Sequence, residues 1–255
     1  MKYDRNKKVV FTSITGEYDT LIQPPIIDDS FDYICFVKKG QRHSEKEGVW
    51  RIEEIPFECE NDRQLSRYPK LLPHIVLPQY DYSLWIDGNV SINDAQLYEI
   101  INQKIEEGVL YSGVNHWERD CAYDEAAEIA FWAKDKFWSL FKAIMFLKKE
   151  HFPRHYGLYE NNVIFRKHND TTIVEFDKLW WHYAKRDQLC HPYCLKKFGI
   201  GFDYLVPKNY CTRNHPYFFY VDHKVAYTRR QGMEKQVYDF KRKSKAKILK
   251  YLSRI

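Results

Sequence analysis

The run Lys8-Val9-Val10-Phe11-Thr12-Ser13-Ile14 constrains the fold more than any other feature of the chain. Its side chains are mostly apolar or small on both faces, and Val and Ile favour strands. A strand that is apolar on both faces needs cover on both sides, which is typical of a parallel sheet between layers of helices. The turn-forming residues Thr15 to Asp19 follow directly. We therefore predict a buried strand whose carboxyl end leads into a loop.

The rest of the chain alternates between strand and helix patterns. Predicted strands cover residues 32–37, 49–55, 82–86, 90–92, 109–114 and 162–166. Predicted helices cover residues 62–77, 94–105, 120–147 and 177–195, with Pro69 and Pro73 interrupting the first and a break near Lys134 in the third. This order predicts a single α/β domain with a mainly parallel mixed sheet flanked by helices. The chain has 255 residues, of which 44% are hydrophobic, enough to bury one substantial core.

The C-terminal segment differs from the rest in charge. From Lys241 to Arg254 there are seven basic residues and no acidic one. One helical face can hold the apolar residues Phe240, Ile248, Leu249, Leu252 and Ile255. We expect a globular domain over residues 1–228 and a basic amphipathic tail over residues 229–255. Such a tail suits peripheral binding to an anionic membrane surface, and a solvated terminal helix is the alternative.

We expect a cytoplasmic protein, attached to the inner face of the membrane through this tail. The first residues lack the apolar core of a signal peptide, and the most apolar later stretch, residues 130–147, carries four charged side chains. Six widely spaced cysteines without a signal peptide favour reduced thiols over disulfides. A zinc site has suitable ligand types in Cys190, Cys194, Cys211 and His215, but their spacing is unusual and buried thiols are preferred.

Several functional classes lose their usual support. The chain has no G-x-G-x-x-G, G-x-x-x-x-G-K-[ST], H-E-x-x-H or G-x-S-x-G motif, which are typical of dinucleotide enzymes, P-loop proteins, zinc proteases and α/β-hydrolases. The formal net charge of +5 would attract nucleic acid, but 35 acidic residues are spread through the chain and no nucleic-acid motif occurs. Nucleic acid is therefore not an expected partner.

The strongest local feature is Trp85-Ile86-Asp87-Gly88-Asn89, in which a buried strand delivers a carboxylate to a tight turn. Open α/β sheets bind ligands at strand ends, and glycine lets a ligand approach the backbone. A carboxylate at this place can hold Mg²⁺ or Mn²⁺ against a diphosphate. Asp-Gly-Asn is also an ordinary turn sequence, so both interpretations stay open.

Five blocks in one order make the chain similar to a known family. They are Lys8 to Asp19; Arg67-Tyr68-Pro69-Lys70-Leu71-Leu72-Pro73-His74 with Tyr82 to Asn89; His116-x-x-Arg119-Asp120-Cys121-Ala122-Tyr123-Asp124-Glu125-Ala126; Leu158 to Asn169; and Trp180-Trp181 with Arg186-Asp187-Gln188-Leu189. Together they resemble the glycosyltransferase-like family, formerly of unknown function, that includes plant proteins tied to seed-coat mucilage and turgor regulation. The resemblance implies a GT-A type nucleotide-sugar fold. It further implies transfer of a sugar from a nucleotide-diphosphate donor to a glycan or lipid-linked acceptor in cell-surface polysaccharide synthesis.

The resemblance also implies a donor site. Base and ribose contacts are expected from the first strand and its loop, through Thr12, Ile14, Gly16 and Tyr18. Arg67 and Lys70, one helical turn apart, are expected to neutralise the diphosphate, although exposed helix charges would look the same. Asp87 and Asn89, flanking Gly88, correspond to the metal-binding D-x-D of GT-A enzymes. Because Asn replaces the second acid, metal dependence stays open, and a late ligand would have to come from His191, His215 or His223.

The acceptor side of the site is implied by later blocks. Asp187 is expected to be the base or an acceptor ligand, with Glu160 second, although Asp187 can also cap a helix. Arg186 and Gln188 are expected to bind substrate. His116, Arg119 and Glu125 suggest sugar or phosphate contacts or, alternatively, an internal salt bridge. Trp180 and Trp181 are expected in the core rather than under a sugar. Two other functions stay open: an amidase-type hydrolase, and a non-catalytic module that binds a sugar nucleotide or a membrane.

Overall fold

The structure is a computed structural model that describes residues 7–16, 19–42, 44–183, 187–221 and 232–254. The strands are β1 (Lys8–Ile14), β2 (Phe31–Val37), β3 (Lys46–Glu47), β4 (Trp50–Glu54), β5 (Tyr82–Ile86), β6 (Val90–Ile92), β7 (Tyr111–Asn115), β8 (Tyr159–Lys167) and β9 (Phe218–Tyr220). The helices are α1 (Asp62–Leu71), α2 (Pro73–Val76), α3 (Gln96–Glu106), α4 (Ala122–Phe131), α5 (Phe137–Lys149), α6 (Thr171–His182), α7 (Asp187–Lys197) and α8 (Gly232–Leu252).

The main sheet has the strand order β3-β4-β2-β1-β5-β8-β7. Strands β4, β2, β1 and β5 run parallel, β8 runs antiparallel to β5, and β7 runs antiparallel to β8. Strand β7 therefore points the same way as β5, and β3 and β8 are the antiparallel members of the sheet. The predicted α/β fold with a mainly parallel mixed sheet is confirmed.

The strand order reverses at β1, and this is what places the site. Strand β1 pairs with β2 on one side, Ile14 opposite Val37, and with β5 on the other, Phe11 opposite Trp85. Since both neighbours are parallel to β1, the loops after β1 and β5 leave the sheet at the same edge. A crevice opens between two such loops, and it is where doubly wound sheets bind ligands.

Two buried clusters cover the two faces of the sheet. Alternate residues of β1 explain this, because Val9 and Phe11 join one cluster and Val10 and Ile14 join the other. The first cluster includes side chains from α1 and from α4 to α7, and the second includes side chains from α3. The sheet thus lies between two layers, as the doubly apolar pattern of β1 predicted.

A second, two-stranded sheet follows directly from the Asp87 turn. Strands β6 and β9 pair antiparallel, with Val90 opposite Tyr220. The Asn89 side chain extends this pairing, because its Nδ2 donates to the Val221 carbonyl at 2.8 Å while the Val221 amide donates to the Asn89 carbonyl at 2.9 Å. The turn between β5 and β6 is therefore held by both sheets.

Several predicted boundaries need correction. The helix predicted over 177–195 is two helices, α6 and α7, and α6 begins earlier, at Thr171. The Asp170 carboxylate accepts hydrogen bonds from the Thr172 and Ile173 amides and so caps α6, a role that its Asp-Thr sequence pattern indicates. The helix predicted over 62–77 is broken at Leu72, before Pro73, as the two prolines suggested.

The C-terminal helix α8 packs against α4 and α5. Leu249 is buried in the first cluster, and the Lys148 and Arg154 side chains donate to the Leu252 and Ser253 carbonyls. Phe240 and Ile248, predicted on the same face as Leu249, are exposed instead, and Ile255 lies outside the described residues. The predicted boundary at residue 228 falls between described segments and stays a prediction. Within the described ranges, no helix combines the length and hydrophobicity that a membrane span requires.

Candidate functional site

A cavity of about 250 Å³ lies at the crevice between the β1 and β5 loops. The two loops and one face of α1 provide its lining, which consists of Ser13, Ile14, Thr15, Asp19, Asp62, Arg63, Ser66, Arg67, Lys70, Trp85, Asp87 and Gly88. We call it the first cavity. The strand order alone would direct a ligand to this place. The lining offers such a ligand three cations beside three carboxylates.

One face of α1 supplies the positive charge. Arg63, Ser66, Arg67 and Lys70 follow the spacing of residues that share a helix face, and all four line the first cavity. The opposite face carries Leu65 and other buried apolar residues, so packing of α1 on the sheet turns the basic face inward to the crevice. Arg67 and Lys70 were predicted from the sequence, whereas Arg63 and Ser66 were missed although the same spacing indicated them.

Asp87 is held in a fixed orientation. Its amide donates to the Asn162 carbonyl at 2.8 Å, and its carbonyl accepts from the Val90 amide at 2.9 Å. The carboxylate Oδ1 accepts from the Trp85 indole at 2.7 Å and from the Lys70 ammonium at 3.1 Å. The Lys70 side chain is only 7% exposed, whereas that of Asp87 is 33% exposed. Asp87 is thus oriented by the protein yet accessible from the crevice.

The residues around Asp87 fit a divalent cation only in part. Oδ1 already accepts two hydrogen bonds, and the buried Asn89 amide is bonded to the Val221 backbone. No cluster of three or more acidic, histidine or cysteine ligands includes Asp87 among the residues described. Magnesium often binds through one or two carboxylates together with substrate phosphates. A cation here would therefore take most of its ligands from a bound diphosphate.

The residues predicted to hold the nucleotide are only partly brought together. Ile14 and Gly88 line the first cavity, but Thr12 is buried in the sheet and does not. Gly16 lies beside the cavity with φ of 65°, and a Cβ there would come within 3.0 Å of the Asp62 carboxylate. Tyr18 lies outside the described residues. Sequence reasoning missed Ser13, Thr15 and Asp19, which lie among the predicted positions of the same strand and loop.

A second cavity of about 420 Å³ adjoins the first. It is lined by Asp87, Asn89, His116, Trp117, Glu118, Arg119, Glu125, Glu128, Ile129, Trp132, Lys134, Glu160, Asn162, Gln188, Arg213 and Tyr220. Asp87 belongs to the lining of both cavities. The structure therefore brings the predicted residues of the third block together with Asp87, Glu160 and Gln188.

His116 is neutral and has a defined tautomer. Burial and the nearby Arg119, Arg213 and Lys134 charges lower its pKa to about 3. Its Nδ1 accepts from the Glu118 and Arg119 amides at 3.3 and 3.1 Å, so the proton lies on Nε2. Nε2 is 3.7 Å from the Glu125 carboxylate.

Arg119 forms the internal salt bridge that the sequence left open as an alternative. Its Nε donates to Glu125 at 2.6 Å and its Nη1 to Glu118 at 2.5 Å. Burial raises the pKa of Glu125, and the Arg119 charge opposes that rise. This network gives the wall of the second cavity a rigid shape.

Glu160 is engaged by several donors. One carboxylate oxygen accepts from Arg213 at 2.6 Å, and the other accepts from Asn162, from the Thr212 hydroxyl and from the Thr212 amide. These four hydrogen bonds engage both oxygens of the carboxylate. Its contacts fit a residue that positions Arg213 at the cavity.

The first turn of α7 reaches the second cavity through Gln188. The helix begins at Asp187, but the Asp187 side chain and the whole of Arg186 lie outside the described part of the chain. Their predicted roles stay predictions.

Two of the three late metal ligands considered from sequence, His191 and His215, are not at the site. His191 is fully buried against Trp180, and His215 packs between Tyr210 and Tyr217, so neither lines either cavity. His223 lies outside the described residues. A separate group, Cys121, Asp124 and His155, has ligand atoms within 4.8 Å of one another. Its polar members pair with Arg154 and Asp120, and it lines neither cavity.

The tryptophans that line the second cavity are not the Trp180-Trp181 pair named from the sequence. Trp180 is fully buried, and Trp181 packs against Phe57 and Tyr68, as expected for core residues. Trp117 and Trp132 line the second cavity and were missed. The signal that could have identified them is their position, since Trp117 directly follows His116 and Trp132 lies at the end of α4.

Comparisons with known proteins identify a family for the chain. The sequence model of a family described as TOD1/MUCI70, glycosyltransferase-like domain, matches residues 1–214. The chain is 32% identical over 69 residues to an Arabidopsis thaliana protein named "Probable hexosyltransferase MUCI70", a match that covers 26% of this chain and 12% of that protein. Mouse xyloside xylosyltransferase 1, in its apo form, aligns over 80% of this chain and 79% of its own, with a TM-score of 0.37 and 7% identity. That structural likeness is too low to bear on function.

Proposed function

Because the chain belongs to the TOD1/MUCI70 glycosyltransferase-like domain family, we propose that it moves a sugar from a nucleotide-diphosphate donor to a glycan or lipid-linked acceptor. The observation that carries this proposal is the position of Asp87, which lines two adjoining cavities beside the Lys70 ammonium. One cavity has a basic helix face and the other has mixed polar and aromatic walls. The pair suits two substrates that react where the cavities meet.

The first cavity is the proposed donor site. Lys70, Arg67 and Arg63 would neutralise the diphosphate, and Asp19 and Ser13, which line the same cavity, would contact the nucleoside hydroxyls. In the reaction, the bond between the sugar's anomeric carbon and the β-phosphate oxygen breaks, and a bond to the acceptor oxygen forms. The departing diphosphate gains negative charge, which the α1 cations stabilise. A divalent cation, Mn²⁺ or Mg²⁺, would supply Lewis-acid stabilisation of the same leaving group when bound through Asp87.

We assign Asp187 as the group that accepts the proton of the acceptor hydroxyl or, in a retaining reaction, orients that hydroxyl. Gln188, the next residue, lines the second cavity, which supports this assignment. Glu160 is assigned a positioning role through Arg213, because its carboxylate already accepts four hydrogen bonds.

The donor proposal is tested by thermal unfolding with uridine, guanosine and cytidine diphosphates, each with Mn²⁺ and with a chelator. At least one diphosphate should raise the melting temperature by about 5 °C at a hundredfold excess over its Kd. We expect a shift in chelator as well, because the α1 cations do not depend on a metal, and a larger shift with Mn²⁺. If none of the three diphosphates stabilises the protein, the proposed donor site is wrong.

The Asp187→Asn variant separates binding from chemistry in the same experiment. The diphosphate should raise its melting temperature by as much as that of the wild type. The rate at which it releases diphosphate from the sugar nucleotide in the presence of acceptor should fall by a factor of about 10²–10⁴. Unchanged turnover would remove Asp187 from the mechanism. A wild type that binds the diphosphate but never turns over would be the non-catalytic module.

We further propose that the protein works at the cytoplasmic face of an anionic membrane, held there by α8. Exposed residues at three- and four-residue spacing form a stripe along this helix, which consists of Phe240, Lys243, Lys247 and Tyr251 and is continued by Arg254 in the following turn. Cations beside aromatic side chains suit the headgroup region of an anionic bilayer.

A further inference from the structure

Two exposed tryptophans border the second cavity. Trp117 is 57% exposed and Trp132 is 51% exposed, and both belong to its lining. Single exposed apolar side chains are ordinary, but two large rings beside one polar cavity suit a ligand with both an apolar face and polar groups. A pyranose ring is such a ligand, because its C–H face packs on an aromatic ring while its hydroxyls bond to polar neighbours.

The Trp132 ring is held in place before any ligand arrives. Its indole nitrogen donates to the Glu128 carboxylate at 2.6 Å. The Arg242 guanidinium of α8 lies 5.4 Å from the Trp132 ring and 4.6 Å from the Phe131 ring. A ring fixed by these contacts loses little freedom on binding, which favours affinity.

Trp117 is held by its backbone. The Glu118 and Arg119 amides both donate to the His116 ring, which closes a turn with Trp117 inside it. The two tryptophans therefore sit on separately braced elements, the turn after β7 and the end of α4.

The charges around the cavity select against an acidic sugar. Its lining has five carboxylates and three cations. Two of the cations, Arg119 and Arg213, are already bound to Glu118, Glu125 and Glu160. A uronic acid would therefore meet mostly negative charge, whereas the hydroxyls of a neutral sugar can bond to carboxylates.

We propose that the second cavity is an acceptor subsite for a neutral saccharide, whose apolar ring face stacks on Trp117 and Trp132. The role as acceptor rests on the proposed function, since Asp87 would then lie between this saccharide and the donor. The binding of the saccharide itself does not depend on transfer.

The test measures binding of oligosaccharides to the full chain by ligand-observed NMR. The probes are neutral gluco-, xylo-, manno- and galacto-oligosaccharides and, for comparison, oligogalacturonate of equal length. At least one neutral series should bind, and its Kd should rise about tenfold in Trp117→Ala and in Trp132→Ala, the loss of roughly one ring contact. Trp138→Ala is the matched control, because Trp138 is 68% exposed but lines neither cavity of the site.

The rise in melting temperature with nucleoside diphosphate is also measured for every variant. This measurement distinguishes failure of the saccharide subsite from failure of the donor site. If no neutral oligosaccharide binds at millimolar concentration while a nucleoside diphosphate still stabilises the protein, the inference fails and the donor site stands. Tighter binding of oligogalacturonate, or equal loss in Trp138→Ala, also overturns it. A third outcome is that saccharide binding needs both tryptophans but no nucleoside diphosphate raises the melting temperature. This outcome would support the saccharide subsite and contradict the proposed transferase.

Discussion

At the scale of single residues, the pair of Lys70 and Asp87 has the clearest consequences. Lys70 is nearly buried, its ammonium lies 3.1 Å from Asp87 and 5.3 Å from the Trp85 ring, and it faces the first cavity. A buried cation is costly unless it is paired, and Asp87 provides the partner. Because Lys70 also lines the first cavity, its ammonium can meet an anionic ligand there. The alkyl part of the side chain packs, while the ammonium carries the charge.

We predict that Lys70→Met weakens binding of the nucleoside diphosphate by about ten- to a hundredfold, because it keeps the packing and removes a charge-assisted hydrogen bond. Isothermal titration of the diphosphate measures this. Lys178→Met is the matched control, since Lys178 also pairs with a carboxylate, that of Glu175, but is exposed and lines neither cavity. An equal Kd in wild type and Lys70→Met would contradict the donor site.

At the scale of secondary-structure elements, α8 has two faces with different surroundings. Leu249 is buried against the domain, whereas Phe240 and Tyr251 are 72% and 65% exposed among lysines. An amphipathic helix normally exposes its polar face alone, so exposed aromatic side chains among cations suit a membrane interface.

We predict that replacing Lys243, Lys247 and Lys250 by Gln lowers binding to vesicles with about 30% phosphatidylserine by roughly a hundredfold, at about 1 kcal/mol per lysine. Co-sedimentation measures the bound fraction. A control variant changes Lys39, Lys46 and Lys196, which are exposed lysines on other elements, and should bind as the wild type does. Equal binding to neutral phosphatidylcholine vesicles would contradict an electrostatic interaction.

At the scale of the whole molecule, the C-terminal helix and the sheet share one core. Leu249 joins the cluster that contains Phe11 and Trp85, and Arg242 of α8 lies over Trp132 of the second cavity. Stability of the domain and shape of the proposed acceptor subsite are therefore linked to the same helix.

We predict that Leu249→Ala lowers the free energy of unfolding by about 2–4 kcal/mol, because it opens a cavity in the core. Ile248→Ala, at the half-exposed neighbouring position, should cost less than about 1 kcal/mol. Urea unfolding followed by circular dichroism measures both, and we expect a single transition. The prediction would be contradicted if the helix unfolded in a separate early transition and Leu249→Ala lowered the free energy of unfolding no more than Ile248→Ala does. That result would show that the helix unfolds independently of the domain.

The amino-acid sequence was sufficient for the features that depend on neighbours in the chain. The doubly apolar β1, the break of the helix at Pro73, the turn at Asp87 and the spacing of Arg67 and Lys70 follow from local pattern and propensity. The five blocks were also enough for the family, which the match over residues 1–214 confirms. These features need no knowledge of where distant segments lie.

Only the tertiary structure decided which residues meet. It joined Arg213 to Glu160, fixed the Asn89 amide to Val221, and set Trp117 and Trp132 beside one cavity while burying Trp180 in the core. Such contacts depend on strand order and helix packing, and a tryptophan has the same local pattern in a core as on a cavity wall. Local sequence determines the elements, whereas the chemistry of the site depends on contacts between residues far apart in the chain.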